Sequence, residues 1–140
     1  AADSRFRGRT MLEVFDATVD ALGRAGLMVF INNHISKSGW CCSWESEEGL
    51  WYSPTYNETQ WISSLVALAE RYKGMPHVVG FDLRNEPHDY NGVCLSWGDG
   101  VEETDWAAAA ERAGNAILAT NPDVLIIVEA ICFGKELRPL

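Results

Sequence analysis

Val78-Val79-Gly80-Phe81-Asp82-Leu83-Arg84-Asn85-Glu86-Pro87-His88-Asp89 decides how the chain is read. Its first half is a short apolar run with β-branched and aromatic residues after the punctuation Gly74-Met75-Pro76, so it reads as a buried strand. Its second half gathers Asn, Glu, Pro, His and Asp between Asn85 and Asp89. A rigid strand whose carboxyl end lifts polar side chains into a cleft is the arrangement that barrel enzymes use. A carboxyl beside a side-chain amide can act there as general acid or base. The same cluster also suits an ordinary turn, since Asn, Pro and Asp all favour turns, and chemistry alone leaves both readings open.

Outward from this stretch, the periodicity predicts a helix from about Thr10 to Ala25. Met11, Leu12, Phe15, Val19 and Leu22 recur at helical spacing, and Gly26 supplies the stop. Leu27 to Ile31 is a continuous apolar run, a buried strand without polar alternation, as parallel sheets show. It too ends in a polar cluster, Asn32-Asn33-His34. From Ile35 to Pro54 runs a long irregular loop with Trp40, Trp44, Trp51 and Tyr52; loops of that length in compact domains tend to be functional. Thr55 and Glu58 have capping-box spacing, which predicts a helix to about Lys73 with Trp61, Leu65 and Leu68 on its buried side. A second irregular loop, Tyr90 to Glu103, carries Cys94 and Trp97. A third helix is expected over about Asp105 to Thr120, favoured by Ala107 to Ala110 and ended by Asn121-Pro122. Val124 to Val128 is a third apolar strand and ends in Glu129. Helices alternating with strands indicate an α/β fold with a parallel sheet, either a barrel or a doubly wound sheet. No Gly-rich phosphate loop follows any strand, which disfavours the nucleotide-binding doubly wound form.

The 140 residues are 47% hydrophobic, enough for one domain with its own core. A net charge of −9 and a pI near 4.7 argue against affinity for nucleic acid or anionic membrane. No apolar run nears the roughly 20 residues of a membrane span. No basic start with an apolar stretch opens the chain, so a signal peptide is expected to be absent or already removed. Six Trp and four Tyr either pack a core or stack on sugar rings, and most lie outside the periodic helical positions. Cys41, Cys42, Cys94 and Cys132 form no zinc pattern, because no Cys-x-x-Cys pair is present. Adjacent Cys41 and Cys42 cannot easily bridge each other. Asn57-Glu58-Thr59 is an N-glycosylation sequon. Cysteines and sequon together lean towards an oxidising, extracellular setting.

Asn85-Glu86-Pro87 after an apolar strand resembles the acid/base motif of glycoside hydrolase clan A. The longer string Val79 to Asp89 resembles the family 5 cellulases, the endo-β-1,4-glucanases. Three residues recur by chance, but the long string has matching segments on both sides. These are Leu50-Trp51-Tyr52, Trp61-Ile62-Ser63-Ser64-Leu65, Arg71-Tyr72-Lys73-Gly74 and the run Ala110 to Leu118, so the resemblance covers nearly the whole chain. It implies a (β/α)8 TIM barrel, with residues 1–140 as part of one catalytic domain that supplies roughly strands three to five and their helices.

The resemblance also implies roles. Glu86 matches the general acid/base, Asn85 the neighbour that holds the sugar 2-hydroxyl, and His34 the active-site histidine after the third strand. His88, Trp40, Trp44, Trp51 and Trp97 are the substrate-binding candidates. The family's nucleophile is a second Glu after the seventh strand and does not fall in this chain, nor does Glu129 match it. A full barrel needs about 250 residues, so remaining barrel sequence or another chain is expected as a partner. Cys41-Cys42, and Ala130 where a glycine is usual, depart from the bacterial pattern. The implied reaction is retaining hydrolysis of β-1,4 bonds in cellulose or a related β-glucan by a secreted enzyme, with no metal or organic cofactor. Mannan or another β-glycan is the alternative substrate, and a non-catalytic carbohydrate-binding fragment the alternative class. The loops after neighbouring strands should lie side by side, so Cys94 is expected to bond Cys41 or Cys42. The three strands should be parallel and adjacent, with His34, Asn85 and Glu86 at one end.

Overall fold

The structure, a computed structural model, describes residues 3–39 and 48–136. Three parallel strands form one sheet in the order β1 (Val29–Asn32), β2 (Val78–Asp82), β3 (Leu125–Ile127). Before them in turn come α1 (Met11–Arg24), α2 (Glu58–Arg71) and α3 (Trp106–Thr120). The expected parallel, adjacent strands are therefore present.

Register assigns the two faces. Ile31, Phe81 and Ile126 lie abreast, and so do Phe30, Gly80 and Leu125 on the opposite face. The first row faces the helices: a side chain on Gly114 of α3 would stand 3.2 Å from Ile126 Cγ2. Small residues let α3 come this close, with Ala109, Ala110, Ala113 and Gly114 all buried. The second row faces away, where Phe30 is 48% and Leu125 62% exposed. Gly80 is required there, because a Cβ would meet the Phe30 ring at 2.7 Å and the Leu125 carbonyl oxygen at 3.0 Å. Among the described residues the strands are thus covered by helices on one face, not on both.

Helix α1 begins in a capping box in which Thr10 Oγ1 accepts the Glu13 N–H and Glu13 Oε2 accepts the Thr10 N–H. It stops as Gly26 predicts. Gly26 has φ +79°, and the Gly26 and Leu27 N–H groups donate to the carbonyls of Gly23 and Leu22, a Schellman arrangement. Leu27 is therefore used in the stop, and the strand starts at Val29. The apolar stripe of α1 is a correction: only Val19 is buried, while Met11 is 83% exposed and Leu12, Phe15 and Leu22 are also uncovered.

The start of α2 is a second correction. The cap is Asn57, whose Oδ1 accepts the Gln60 N–H at 2.9 Å, while Gln60 Oε1 accepts the Asn57 N–H at 2.9 Å. Glu58 turns instead towards α3 and pairs with Arg112. Trp61 and Leu65 of α2 are buried as expected while Leu68 is half-buried; with Ala69 the two buried residues lie beside Ala109, Ala113 and Ile117 of α3. Among the described residues no helix is long and apolar enough to cross a membrane.

Candidate active site

Beyond the strands the backbone ladder continues, and this gathers the polar ends. The Asn33 N–H donates to the Asp82 carbonyl, the Asn85 N–H to Asn33 and the Leu83 N–H to Ile127, each at 3.1 Å. His34, Asn85, Glu86 and Glu129 therefore stand at one end of the sheet. His34 and Glu86 are exposed; Asn85 and Glu129 are half-buried.

Glu86 adopts φ +46°, a left-handed conformation uncommon for a residue with a side chain. Several contacts hold it there. Its N–H donates to Glu129 Oε2 at 3.0 Å, and its carbonyl accepts from His88 Nδ1 at 2.5 Å. A carbonyl only accepts, so His88 carries its proton on Nδ1. The His88 ring stacks on Phe133 with centroids 4.0 Å apart, and the Phe133 N–H donates to the carbonyl of buried Pro87.

A second chain of hydrogen bonds runs across the strand ends. Asn32 Nδ2 donates to Asp82 Oδ2 at 2.8 Å, and His34 Nδ1 lies 3.0 Å from Asn32 Oδ1. With the Asn32 amide nitrogen facing a carboxylate, its oxygen accepts, so His34 Nδ1 donates and Nε2 is the acceptor. Asp82 is half-buried, and burial, aided by Glu129, raises its pKa from 3.8 to about 6 against the lowering effect of the Asn32 bond.

Below these residues lies rigid support. Arg84 is fully buried and donates to the Glu48 carboxylate at 2.5 Å, the Glu48 carbonyl at 2.6 Å and Ser36 Oγ at 3.0 Å. Trp61 Nε1 donates to the Leu83 carbonyl at 3.0 Å, and Trp106 Nε1 to the Glu129 carbonyl at 2.7 Å. Two indoles thus peg the ends of β2 and β3.

The remaining expected site residues divide. Trp51 is a correction: it is 1% exposed, packs against Trp106 with centroids 5.6 Å apart, and donates to Glu58 Oε2, so its ring is core. Trp97 is half-buried and lines an open apolar hollow of about 430 Å³ with Ala110, Gly114, Ile126 and Val128, on the helix side of the sheet. Trp40, Trp44, Cys41 and Cys42 lie outside the described residues. The expected bridge from Cys94 to Cys41 or Cys42 involves partners outside the described residues; Cys94 itself is a free, exposed thiol here. Its neighbour Leu95 turns inward, held by the bond from its N–H to Asp89 Oδ1, and this turns Cys94 out. Cys132 is also free, with Glu136 Oε2 3.4 Å from its sulfur. Asn57 is exposed at the start of α2.

Sequence reasoning missed Asp82 as the partner of Asn32, Glu129 as the acceptor of the Glu86 N–H, and the Arg84–Glu48 pair. The available signal was a charge inside an apolar strand, Asp82, and a carboxyl closing the next strand, Glu129.

Comparison with known proteins identifies the family. Residues 2–139 match the cellulase family, glycosyl hydrolase family 5. An endoglucanase of Paenibacillus polymyxa is 41% identical over 124 residues, covering 89% of this chain and 29% of its own length. The major extracellular endoglucanase of Xanthomonas campestris pv. campestris is 40% identical, covering 89% and 24%. The solved catalytic domain of the Xanthomonas enzyme superposes with a TM-score of 0.80 at 38% identity, over 91% of this chain and 34% of that one. A cellotetraose complex of the Pyrococcus horikoshii endocellulase gives 0.81 at 32% identity, again over 91% and 34%. The chain therefore spans about a quarter to a third of the length of these relatives. A matching family across almost every residue, and polar strand ends gathered around Asn85 and Glu86, lead to one placement: the chain belongs to the cellulases of glycosyl hydrolase family 5.

Proposed function

We propose that the protein carrying this chain hydrolyses β-1,4-glucan with retention, and that Glu86 is its general acid/base. The observation that carries the reading is the position of Glu86: exposed beside Asn85 and His34, on a turn fixed at both its N–H and its carbonyl. In this reading β1, β2 and β3 are the third, fourth and fifth strands of a (β/α)8 barrel. The nucleophile is a carboxylate from outside these residues, about 5 to 5.5 Å from Glu86, the separation that retention requires.

In the first step the nucleophile bonds to the anomeric carbon while Glu86 gives its proton to the departing glycosidic oxygen. In the second, the Glu86 carboxylate takes a proton from water, which displaces the nucleophile from the sugar. Asn85 holds the 2-hydroxyl. His88 meets the sugar through Nε2, since its Nδ1 is spent on the Glu86 carbonyl. Trp40 and Trp44 remain the candidates for sugar stacking. Relatives called endoglucanases and a neighbour solved with cellotetraose support a β-glucan substrate. The extracellular Xanthomonas relative supports secretion.

The test is Glu86→Gln in the full-length protein. Gln keeps the size but has no proton to give, so kcat on soluble cello-oligosaccharides should fall by about 10² to 10⁴. An aryl cellobioside with an activated leaving group needs less protonation, and its first step should suffer less. Equal turnover by the variant on cellotetraose overturns the assignment, and faster unmutated hydrolysis of mannan moves the substrate class.

A further inference from the structure

We infer that residues 129–133, which follow β3, clamp the turn that carries the acid, and that Glu129 and Phe133 are positioning residues for Glu86 and His88. The inference rests on the proposed role of Glu86.

The clamp starts where the sheet stops. Past β2 and β3 the ladder reaches the Leu83 N–H, which donates to the Ile127 carbonyl. Beyond that bond three contacts join the two strand ends. Glu129 Oε2 accepts the Glu86 N–H at 3.0 Å. The Phe133 N–H donates to the Pro87 carbonyl at 3.2 Å. The Phe133 ring stacks on the His88 ring, with centroids 4.0 Å apart and planes 16° from parallel. The contacts thus fall on Glu86, Pro87 and His88 in succession. Phe133 also acts on the acid through the imidazole. His88 Nδ1 donates to the Glu86 carbonyl, so the stack that fixes the ring plane steadies the second end of the Glu86 backbone.

Glu86 needs such a hold. It sits at φ +46°, a conformation that persists only where neighbouring structure enforces it. Freed from Glu129, it can relax to negative φ, and that rotation swings its carboxyl away from the scissile bond. The clamp is itself fixed. The Glu129 carbonyl accepts from Trp106 Nε1 at 2.7 Å, and Ala130 is buried. Cys132 and Phe133 are both left-handed, at φ +56° and +61°, in a turn that the Gly134 N–H closes on the Ala130 carbonyl at 3.0 Å. From the other side the His88 N–H donates to the Gly49 carbonyl at 2.9 Å, so the acid turn is gripped between the segments that follow β1 and β3. Every grip is on the backbone or on the His88 ring, which leaves the exposed Glu86 carboxyl to the chemistry.

The full-length protein tests this with Glu129→Ala, Glu129→Gln, Phe133→Leu and Phe133→Tyr, each set beside Glu86→Gln. Activity is read as kcat/KM on cellotetraose and on an aryl cellobioside whose leaving group needs little protonation. Glu129→Ala should lose about tenfold on cellotetraose and stay within about twofold on the aryl substrate, because the clamp aims a proton donor. A loss of folded protein would lower both alike. Glu129→Gln should recover most of the loss, since its amide oxygen accepts the same N–H. Phe133→Leu should lose about two- to tenfold on cellotetraose, and Phe133→Tyr should recover it by keeping the stack. Glu129→Ala added to Glu86→Gln should cost less than about twofold more, since the anchor works only through the acid. Amide hydrogen exchange reads the clamp without turnover. The Glu86 N–H should exchange at least about tenfold faster in Glu129→Ala and near the unmutated rate in Glu129→Gln. Equal losses on the two substrates in Glu129→Ala, no rescue by Gln, or an unchanged exchange rate overturns the inference. Full cellotetraose activity in Glu86→Gln overturns the proposed acid instead, and the exchange rates then decide the clamp by themselves.

Discussion

Arg84 carries a full charge where water does not reach, and its worth depends on Glu48. The pair is buried, and Glu48 also accepts the Ser36 N–H, so the loop after β1 is tied to the end of β2 through one carboxylate. Desolvating two charges is costly, and such a pair adds little net stability over apolar residues; losing one partner alone costs about 3 to 5 kcal/mol. Arg84→Met and Glu48→Leu should each destabilise the full-length protein by that amount. The double variant should cost less than either, and a denaturation midpoint for the double below both singles would mean that the pair is no unit. A neighbouring contact makes the same joint intolerant of bulk. A Cβ on Gly49 would stand 2.6 Å from the His88 carbonyl oxygen, so Gly49→Ala should cost about 1 to 3 kcal/mol and lower kcat by moving the turn that carries Glu86. Both charges were visible in the sequence. Their partnership was not, because they lie 36 residues apart and meet only through the register of β1 with β2.

Among the elements, β2 was legible because a short apolar run between Gly74-Met75-Pro76 and a polar cluster has few other readings. Helix α1 was legible from its cap and stop, but not its burial. Periodicity reports which residues share a face, and it is silent on whether that face has a neighbour. The loop tryptophans show the same limit from the other side. Trp51 sits in a loop and was assigned to the cleft, yet the short path from Trp51 to Glu58 at the start of α2 draws it into the core. At that helix start the spacing pointed to Thr55 with Glu58, yet the cap is Asn57 with Gln60, because Glu58 reaches Arg112 and Trp51 instead. Asn57→Ala should therefore cost about 1 kcal/mol, as loss of an N-cap does, while Thr55→Ala should be close to neutral. Thermal unfolding of the two variants checks this, and a larger loss at Thr55 would restore the first cap. The same measurement bears on the sequon, because Asn57 uses Oδ1 for the cap and would carry a glycan on its nitrogen.

At the scale of the whole molecule, the uncovered surfaces agree with one another. The face of the sheet bearing Phe30 and Leu125 is open, and the stripe of Met11, Leu12, Phe15 and Leu22 on α1 is uncovered. Among the described residues β1 and β3 each pair on one side only. A barrel interior, a neighbouring helix and two further strands would cover these surfaces together, as the proposed (β/α)8 barrel requires, and the chain spans only about a quarter to a third of its relatives' length. Strand edges that lack partners pair readily with other chains, and contiguous exposed apolar surface promotes association. Residues 1–140 expressed alone should therefore self-associate and hydrolyse no cello-oligosaccharide, because one acid without a nucleophile cannot complete a double displacement. Adding a separate polypeptide that supplies the other strands of the proposed barrel should restore a complex of barrel size, with activity if those strands pair with β1 and β3. Size-exclusion chromatography and a cellotetraose assay on the isolated segment decide the matter. A monomeric, active segment would show that a carboxyl within these residues, with Glu129 first in line, does the nucleophile's work, and it would place Glu129 in the chemistry rather than behind Glu86.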